Sequence, residues 1–359
     1  MIKEVREIFV TGIMPNNHNQ TLITLISKCT GADCLSKFRP IGLCNTIYKV
    51  VTKIIVLRLR PLLKNLISPL QTTFVPGRKG LDNIIIVQEL VHSLSLKKGK
   101  VGYFAIKIDL EKAYDRLEWH FIHDLLHLFK VPDFLAKLVM SCVSSSSISV
   151  LLNGGRLDPF LLSRGIRQGD ALSPYIFIMC MEFLSFLFHQ SCGENLWNPV
   201  KASRNGPYFS HLFFADDLLL FAKADHKNCK SIKDVLDTFC ELSGQKVNLH
   251  KSKAYFSPNV NSGLRSDLCS VLGVDSTPNL GRYLGVPIKH PRFSTHDFDF
   301  VVERVQNKLS GWKANLVSMA GRVVLTQAVS SAIPSYVMQG AVLPGITLKA
   351  LDRININFI

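Results

Sequence analysis

His211-Leu212-Phe213-Phe214-Ala215-Asp216-Asp217-Leu218-Leu219-Leu220-Phe221 is the stretch that decides the fold. Two adjacent carboxylates interrupt an apolar run. Short apolar segments on either side of a polar break read as two strands joined by a tight turn. Such a hairpin pushes two anionic groups, side by side, out of an apolar sheet. Like charges that close repel, and burying them is costly unless something compensates. A divalent cation is the natural compensation, because hard carboxylate oxygens suit Mg²⁺ held between protein and substrate phosphates. Alone, an Asp-Asp pair also fits a solvated turn, since Asp favours turns.

A second carboxylate lies well upstream, in Tyr103-Phe104-Ala105-Ile106-Lys107-Ile108-Asp109-Leu110. Phe104, Ile106 and Ile108 alternate with Ala105, Lys107 and Asp109, the two-residue period of a half-buried strand. Asp109 is the last residue on the polar face before the pattern breaks. One strand thus ends in a carboxylate while a hairpin elsewhere presents two more. Brought onto one sheet, they make a two-cation site of the kind that clamps the attacking and leaving oxygens of an in-line phosphoryl displacement.

With these carboxylates placed, the chain resembles a reverse transcriptase, and more narrowly the plant LINE-type (non-LTR retrotransposon) branch. The likeness runs through nearly the whole chain in the family's order. Phe38-Arg39-Pro40-Ile41-Gly42-Leu43-Cys44-Asn45 with Tyr48-Lys49 resembles a fingers motif. Gln71, Phe74-Val75-Pro76-Gly77-Arg78 and Asp82-Asn83 resemble the next. Lys107 to Arg116 is similar to the first catalytic motif, Arg164 to Pro174 to the template and nucleotide loop, and Phe214 to Asp217 to the second catalytic motif. Ser243-Gly244-Gln245, Asn248, Lys251-Ser252 and Tyr283-Leu284-Gly285-Val286-Pro287 follow. Ala171 departs from the pattern by standing where the family usually has proline, which loosens that loop.

The resemblance implies an α+β right-hand polymerase fold: fingers, a palm built on an antiparallel sheet with helices on one face, and a partial helical thumb. It divides the chain into an N-terminal extension (1–27), fingers (28–100), palm with fingers insertions (101–290) and partial thumb (291–359). The implied reaction is RNA-directed extension of a DNA primer 3′-hydroxyl by dNTPs, with two Mg²⁺ ions as cofactors and Mn²⁺ as an alternative. Asp109 and Asp216 would hold the ions, with Asp217 as a weaker ligand and the Leu110 carbonyl completing the shell. Tyr114 would pack under the nucleotide sugar and exclude a 2′-hydroxyl. Gln168 and Gly169 would line the nucleotide pocket, since glycine permits close backbone approach to a ligand. Arg39, with Lys37 less directly, would neutralise the triphosphate, as Arg binds phosphate through two parallel bonds. Lys251 is the candidate general acid for the leaving pyrophosphate, with Lys253 its rival. Tyr283, Leu284 and Gly285 resemble the hairpin that holds the primer end.

Several residues read as structural. Asp115, three before Glu118, fits an N-cap of the following helix. Ser173 fits an N-cap and Pro174 a first turn. Arg167 reads as structural, Ser144 to Ser147 as a turn, and Ile2 to Gly12 as a helix. In the thumb, Val301, Val302, Val305, Leu309 and Trp312 recur at helical spacing as a core stripe, with Arg304, Lys308, Lys313 and Arg322 facing a duplex backbone.

Composition agrees with a polyanionic partner. The chain has 359 residues, 47% of them hydrophobic, and a formal charge of +15. Phosphate neutralisation by Lys and Arg drives nucleic-acid affinity. Between Lys28 and Lys79 there are 10 Lys or Arg and a single acid, Asp33. The cysteines form no C-x-x-C pair, which argues against zinc and disulfide scaffolds and for a reducing, intracellular compartment, nucleus or cytoplasm unresolved. The apolar run Tyr175 to Phe188 is too short to span a bilayer and contains Glu182, so no membrane partner is expected. Both ends read as cut, without room for an endonuclease domain before or a ribonuclease H or Cys/His domain after. Two other readings remain open: a non-catalytic RNA-binding relict, and a maturase-like splicing cofactor.

Overall fold

Alternating apolar residues make Tyr103–Ile108 a strand, and its partners follow from the same pattern. In the computed structural model, which describes residues 1–29, 31–203, 205–288, 293–311 and 316–359, this strand is the centre of a five-stranded sheet. The order is Asp275–Ser276, Lys253–Phe256, Tyr103–Ile108, Asp217–Lys223, His211–Phe214. Leu218 lies opposite Ile108 and Leu220 opposite Ile106, and Asp217 pairs with Phe214 across the hairpin. Only the short Asp275–Ser276 strand runs parallel to its neighbour.

Both faces of this sheet are buried, not one. Ile106, Ile108, Leu218 and Leu220 face a core built with the helices Trp119–Leu128, Ser173–Gly193 and His226–Ser243. Ala105, Leu212, Leu219 and Phe221 face a second core, covered by the helices Gly80–Ser95, Asp299–Leu309 and Gly345–Phe358. Ala105 therefore lies inside rather than on a polar face, because a second hydrophobic core forms on that side of the sheet. A central strand buried on both sides departs from simple alternation.

A second sheet sets Phe38–Cys44 antiparallel to Gln20–Ser27, which in turn pairs in parallel with Ser147–Leu152. The expected division at residues 27 and 28 thus runs through one sheet. The segment expected to end the fingers, Gly80–Ser95, packs instead on the palm sheet through Ile84, Val87 and Leu90. In the thumb region, Val301, Val305 and Leu309 are buried and Val302 partly so. Arg304 lies over the Phe300 ring, and Arg322 donates to the Phe358 carbonyl. Trp312 and Lys313 fall outside the described residues.

Local expectations divide. Ile2–Thr11 is helical and ends on Gly12 in the left-handed conformation. Ser144 ends a helix and Ser147 starts a strand, so the serine run is a junction. Arg167 is buried, stacks on Tyr48 and donates to Asn19, Thr21 and the Cys142 carbonyl. Asp115 is not a cap: it sits within the short helix Ala113–Arg116, and Glu118 occupies the next cap position, its carboxylate bonded to Arg164 rather than to the helix N-terminus. Ser173 is the first residue of its helix rather than the cap; Asp170 accepts the Leu172 N–H instead. That helix spans 21 residues, Ser173–Gly193, longer than the expected run and long and apolar enough to cross a bilayer by length and composition alone. The length argument against a membrane span therefore fails; its buried side chains belong to the first core.

Candidate active site

Asp109 follows the central strand directly, and its backbone is clasped from both sides. Its N–H donates to Ser252 Oγ at 3.1 Å, and its carbonyl accepts from Asn248 N at 2.8 Å. Glu111 N–H donates to the Lys246 carbonyl, and Gln245 donates to the Ala113 carbonyl at 2.7 Å. The segment from Ser243 to Ser252 thus fixes the start of the Asp109–Arg116 stretch. On the neighbouring strand pair, Ala215 and Asp216 form the hairpin turn. Ala215 adopts φ 53°, a left-handed conformation uncommon outside glycine, and such strain is a recurrent mark of functional turns.

A cleft of about 840 Å³ opens between the two sheets. Asp109, the exposed Asp216, Leu110 and Tyr114 line its palm side; Arg39, Gln168, Gly169 and Lys251 line it as well. Burial pushes the Asp109 carboxyl above the usual range, Asp216 adds to this, and the Lys251 and Lys107 charges work against it. Lys251 Nζ stands 3.9 Å from Asp109 Oδ2. Asp217 is half-buried, also raised by burial, and lies 3.9 Å from Lys107 Nζ; it does not line the cleft. Lys253 pairs with Asp275 at 2.7 Å, which removes it from the cleft, and Lys37 pairs with Asp33.

Tyr114 stacks on Phe177 with ring centroids 4.9 Å apart, which sets the ring as a fixed wall of the cleft. Burial and the Asp216 charge push its hydroxyl up to about 12. The Gln168–Gly169 loop is pinned to the Phe38–Cys44 strand: Gly42 N–H donates to the Gln168 carbonyl at 2.7 Å. A Cβ on Gly169 would come within 2.7 Å of the Gly42 carbonyl oxygen, so only glycine fits. Beside it Asp115 is raised by burial and lowered by a hydrogen bond from Gln168.

The residues expected to hold the primer, Tyr283, Leu284 and Gly285, do not line the cleft. Tyr283 is fully buried, near Asn83, and anchors its hairpin from inside. Leu284 and Gly285 form the turn, both at positive φ, and Tyr336 donates to the Leu284 carbonyl at 2.7 Å.

Among the described residues no three His, Cys, Asp or Glu side chains form a metal-holding group. Two carboxylates in one cleft, Asp109 and Asp216, beside the Leu110 backbone nonetheless fit Mg²⁺, which is usually held by one or two carboxylates and otherwise by water and substrate phosphates. Gln71 and Asn248 carry no assigned role in the sequence reading, yet Gln71 accepts from Ala215 N–H and Asn248 holds Asp109. Their signal was only their place within the family-like motifs from Gln71 to Asn83 and from Ser243 to Ser252.

A carboxylate-bearing palm sheet, a second sheet across a cleft and a glycine-pinned loop between them define the right-hand nucleic-acid polymerase class. The chain belongs to the reverse transcriptase (RNA-dependent DNA polymerase) family, whose model matches residues 26–288. It is similar to the transposon TX1 uncharacterized 149 kDa protein of Xenopus laevis, with 27% identity over 91% of this chain and 24% of that protein. It is also similar to the retrovirus-related Pol polyprotein from the type-2 retrotransposable element R2DM of Drosophila melanogaster, 27% identical over 80% of this chain and 27% of the relative. The chain thus spans about a quarter of the length of these relatives. An uncharacterized mitochondrial protein of Arabidopsis thaliana is 43% identical over 19% of this chain and 55% of its own.

Proposed function

We propose that this chain is the polymerase of a non-LTR retrotransposon of the plant LINE-type branch, extending a DNA primer 3′-hydroxyl along an RNA template with dNTPs. The carrying observation is that Asp109 and Asp216, from separate strands, meet Tyr114, Gln168, Arg39 and Lys251 in one cleft. The transposable-element relatives support the retrotransposon reading, and the Arabidopsis relative supports the plant branch. An intracellular site is proposed on the cysteines, all free.

Asp109 and Asp216, with the Leu110 carbonyl, would hold two Mg²⁺ ions. Bound there, the ions would favour the ionised primer hydroxyl and offset charge on the departing pyrophosphate. Arg39 neutralises the triphosphate from the opposite wall. Tyr114 supports the sugar and leaves no room for a 2′-hydroxyl. Gln168 and Gly169 hold the nucleotide against the loop. Lys251 gives a proton to the leaving group. Lys107 orients Asp217, which supports the turn. Leu284 and Gly285 present the surface on which the primer end rests, with Tyr283 anchoring them.

Primer extension on an annealed RNA template with dNTPs and Mg²⁺ tests this. The unaltered chain should incorporate nucleotides, and Asp216→Asn should reduce incorporation at least a thousandfold (~10³) while leaving RNA binding within about twofold. Template binding without incorporation by the unaltered chain would identify a relict.

A further inference from the structure

We infer that Gln71 is a positioning residue for Asp216, acting through the backbone of the hairpin turn; the inference rests on the polymerase reading above. Gln71 is buried, and its Oε1 accepts from Thr73 N–H at 3.1 Å and Ala215 N–H at 3.3 Å. Ala215 lies beyond the paired residues Phe214 and Asp217, so the strand ladder offers its N–H no partner. It is also the residue at φ 53°. An alanine held in that conformation persists only where its surroundings impose it. Gln71 supplies that imposition at the residue that directly precedes Asp216 in the chain.

Gln71 is itself held. The Leu70 carbonyl accepts from Phe213 N–H at 2.8 Å, and Thr72 N–H donates to the Phe213 carbonyl at 3.3 Å, so Leu70 to Thr72 flank the hairpin as a further edge. Asn83 also donates to the Phe213 carbonyl. Arg78 donates to the carbonyls of Ser68, Gln71 and Ile67 at 2.5, 2.6 and 2.7 Å. One planar guanidinium thus gathers the loop into shape, a task for which a lysine ammonium has the wrong geometry. The chain of contacts runs from Arg78 to the Gln71 backbone, from the Gln71 side chain to Ala215, and from Ala215 to the carboxylate that follows it.

The test compares the unaltered chain with Gln71→Met, Arg78→Lys and the double change Gln71→Met, Ala215→Gly. Methionine keeps the side-chain length and removes the acceptor. Glycine adopts positive φ without steric cost, so it lets the turn hold itself. Three quantities are read: exchange of the Ala215 amide, binding of Mn²⁺ alone by electron paramagnetic resonance, and primer extension. Gln71→Met should speed Ala215 amide exchange about tenfold while the Phe213 amide stays protected. Mn²⁺ binding should weaken several-fold. The extension rate should fall about tenfold to a hundredfold with the dNTP KM unchanged, as a small displacement of a reacting group does. The double change should recover most of both losses. Arg78→Lys should move all three in the same direction and decides the matter if Gln71→Met fails to fold. Unchanged Ala215 exchange and Mn²⁺ binding in the folded variants, or losses that glycine does not recover, would overturn the assignment. If the unaltered chain extends no primer, the polymerase reading falls while the exchange and Mn²⁺ measurements still decide this one.

Discussion

Asp109 carries the pH behaviour of the cleft. Burial raises its carboxyl and Lys251 lowers it, so its ionised form appears at higher pH than for an ordinary aspartate. Followed by NMR in the metal-free chain, the Asp109 carboxyl should therefore titrate above the ordinary aspartate range. Lys251→Ala removes a stabilising charge and should push that titration higher still; a titration that stays or falls would separate Lys251 from Asp109. Tyr114 makes a second residue-scale expectation. Its ring is fixed by Phe177, so Tyr114→Ala should open space at the sugar and raise ribonucleotide use by about tenfold or more relative to dNTPs. Competition between rNTP and dNTP incorporation measures it, and unchanged sugar selectivity would remove Tyr114 as the gate. Asp109 and Asp216 were legible from local pattern, because one ends an alternating apolar run and the other interrupts a continuous one; Tyr114 was legible only through the family resemblance. Gln71 was not, because its bond to Ala215 joins residues far apart in sequence and no periodicity announces a side chain reaching into a turn. Asp115 misled for a related reason. Its spacing to Glu118 mimics a cap, but the chain has already entered a short helix held against Gly165, whose Cβ would meet the Asp115 carbonyl at 2.7 Å.

The helix Ser173–Gly193 contributes more buried residues to the first core than any other element, and it contains one ill-placed charge. Glu182 sits beside Arg78 and the Ser68 backbone, and burial pushes its carboxyl up to about 7. One oxygen, Oε2, is buried without a hydrogen bond. Its folded value is raised above the unfolded one, so the fold holds the proton longer than the free chain does. Stability from this group is undiminished below about pH 4.5 and is lost as pH rises towards 7. Each pKa unit corresponds to about 1.4 kcal/mol, giving a penalty of roughly 3 kcal/mol above neutrality. Glu182→Gln should accordingly raise the melting temperature at pH 8 and change it little at pH 4; a variant that melts lower at pH 8 would show that the carboxylate is stabilised by Arg78 after all. At this scale the hairpin, the central strand and the thumb stripe Val301, Val305, Leu309 were all visible as periodicity. The second covered face of the palm sheet was not, since it depends on a core shared by Ala105, Gly80–Ser95 and Asp299–Leu309, which are far apart in the sequence.

For the whole molecule, a formal charge of +15 sets the expected response to salt. Binding that neutralises about 6–10 phosphates weakens by roughly 10³–10⁵-fold between 50 and 200 mM salt. Titrating an RNA–DNA duplex across that range should show such a slope, whereas a flat response would mean that the basic surface does not hold nucleic acid. The close approach of Gly42 to Gly169 has a further consequence for motion. Backbone lies directly on backbone there, tied by the Gly42 N–H, with no side chain between to slide or yield. No hinge can pass through that contact. Any swing of the Gln20–Ser27 and Phe38–Cys44 ribbon must carry Gln168 with it, so opening and closing of the cleft and the placement of its amide are one movement.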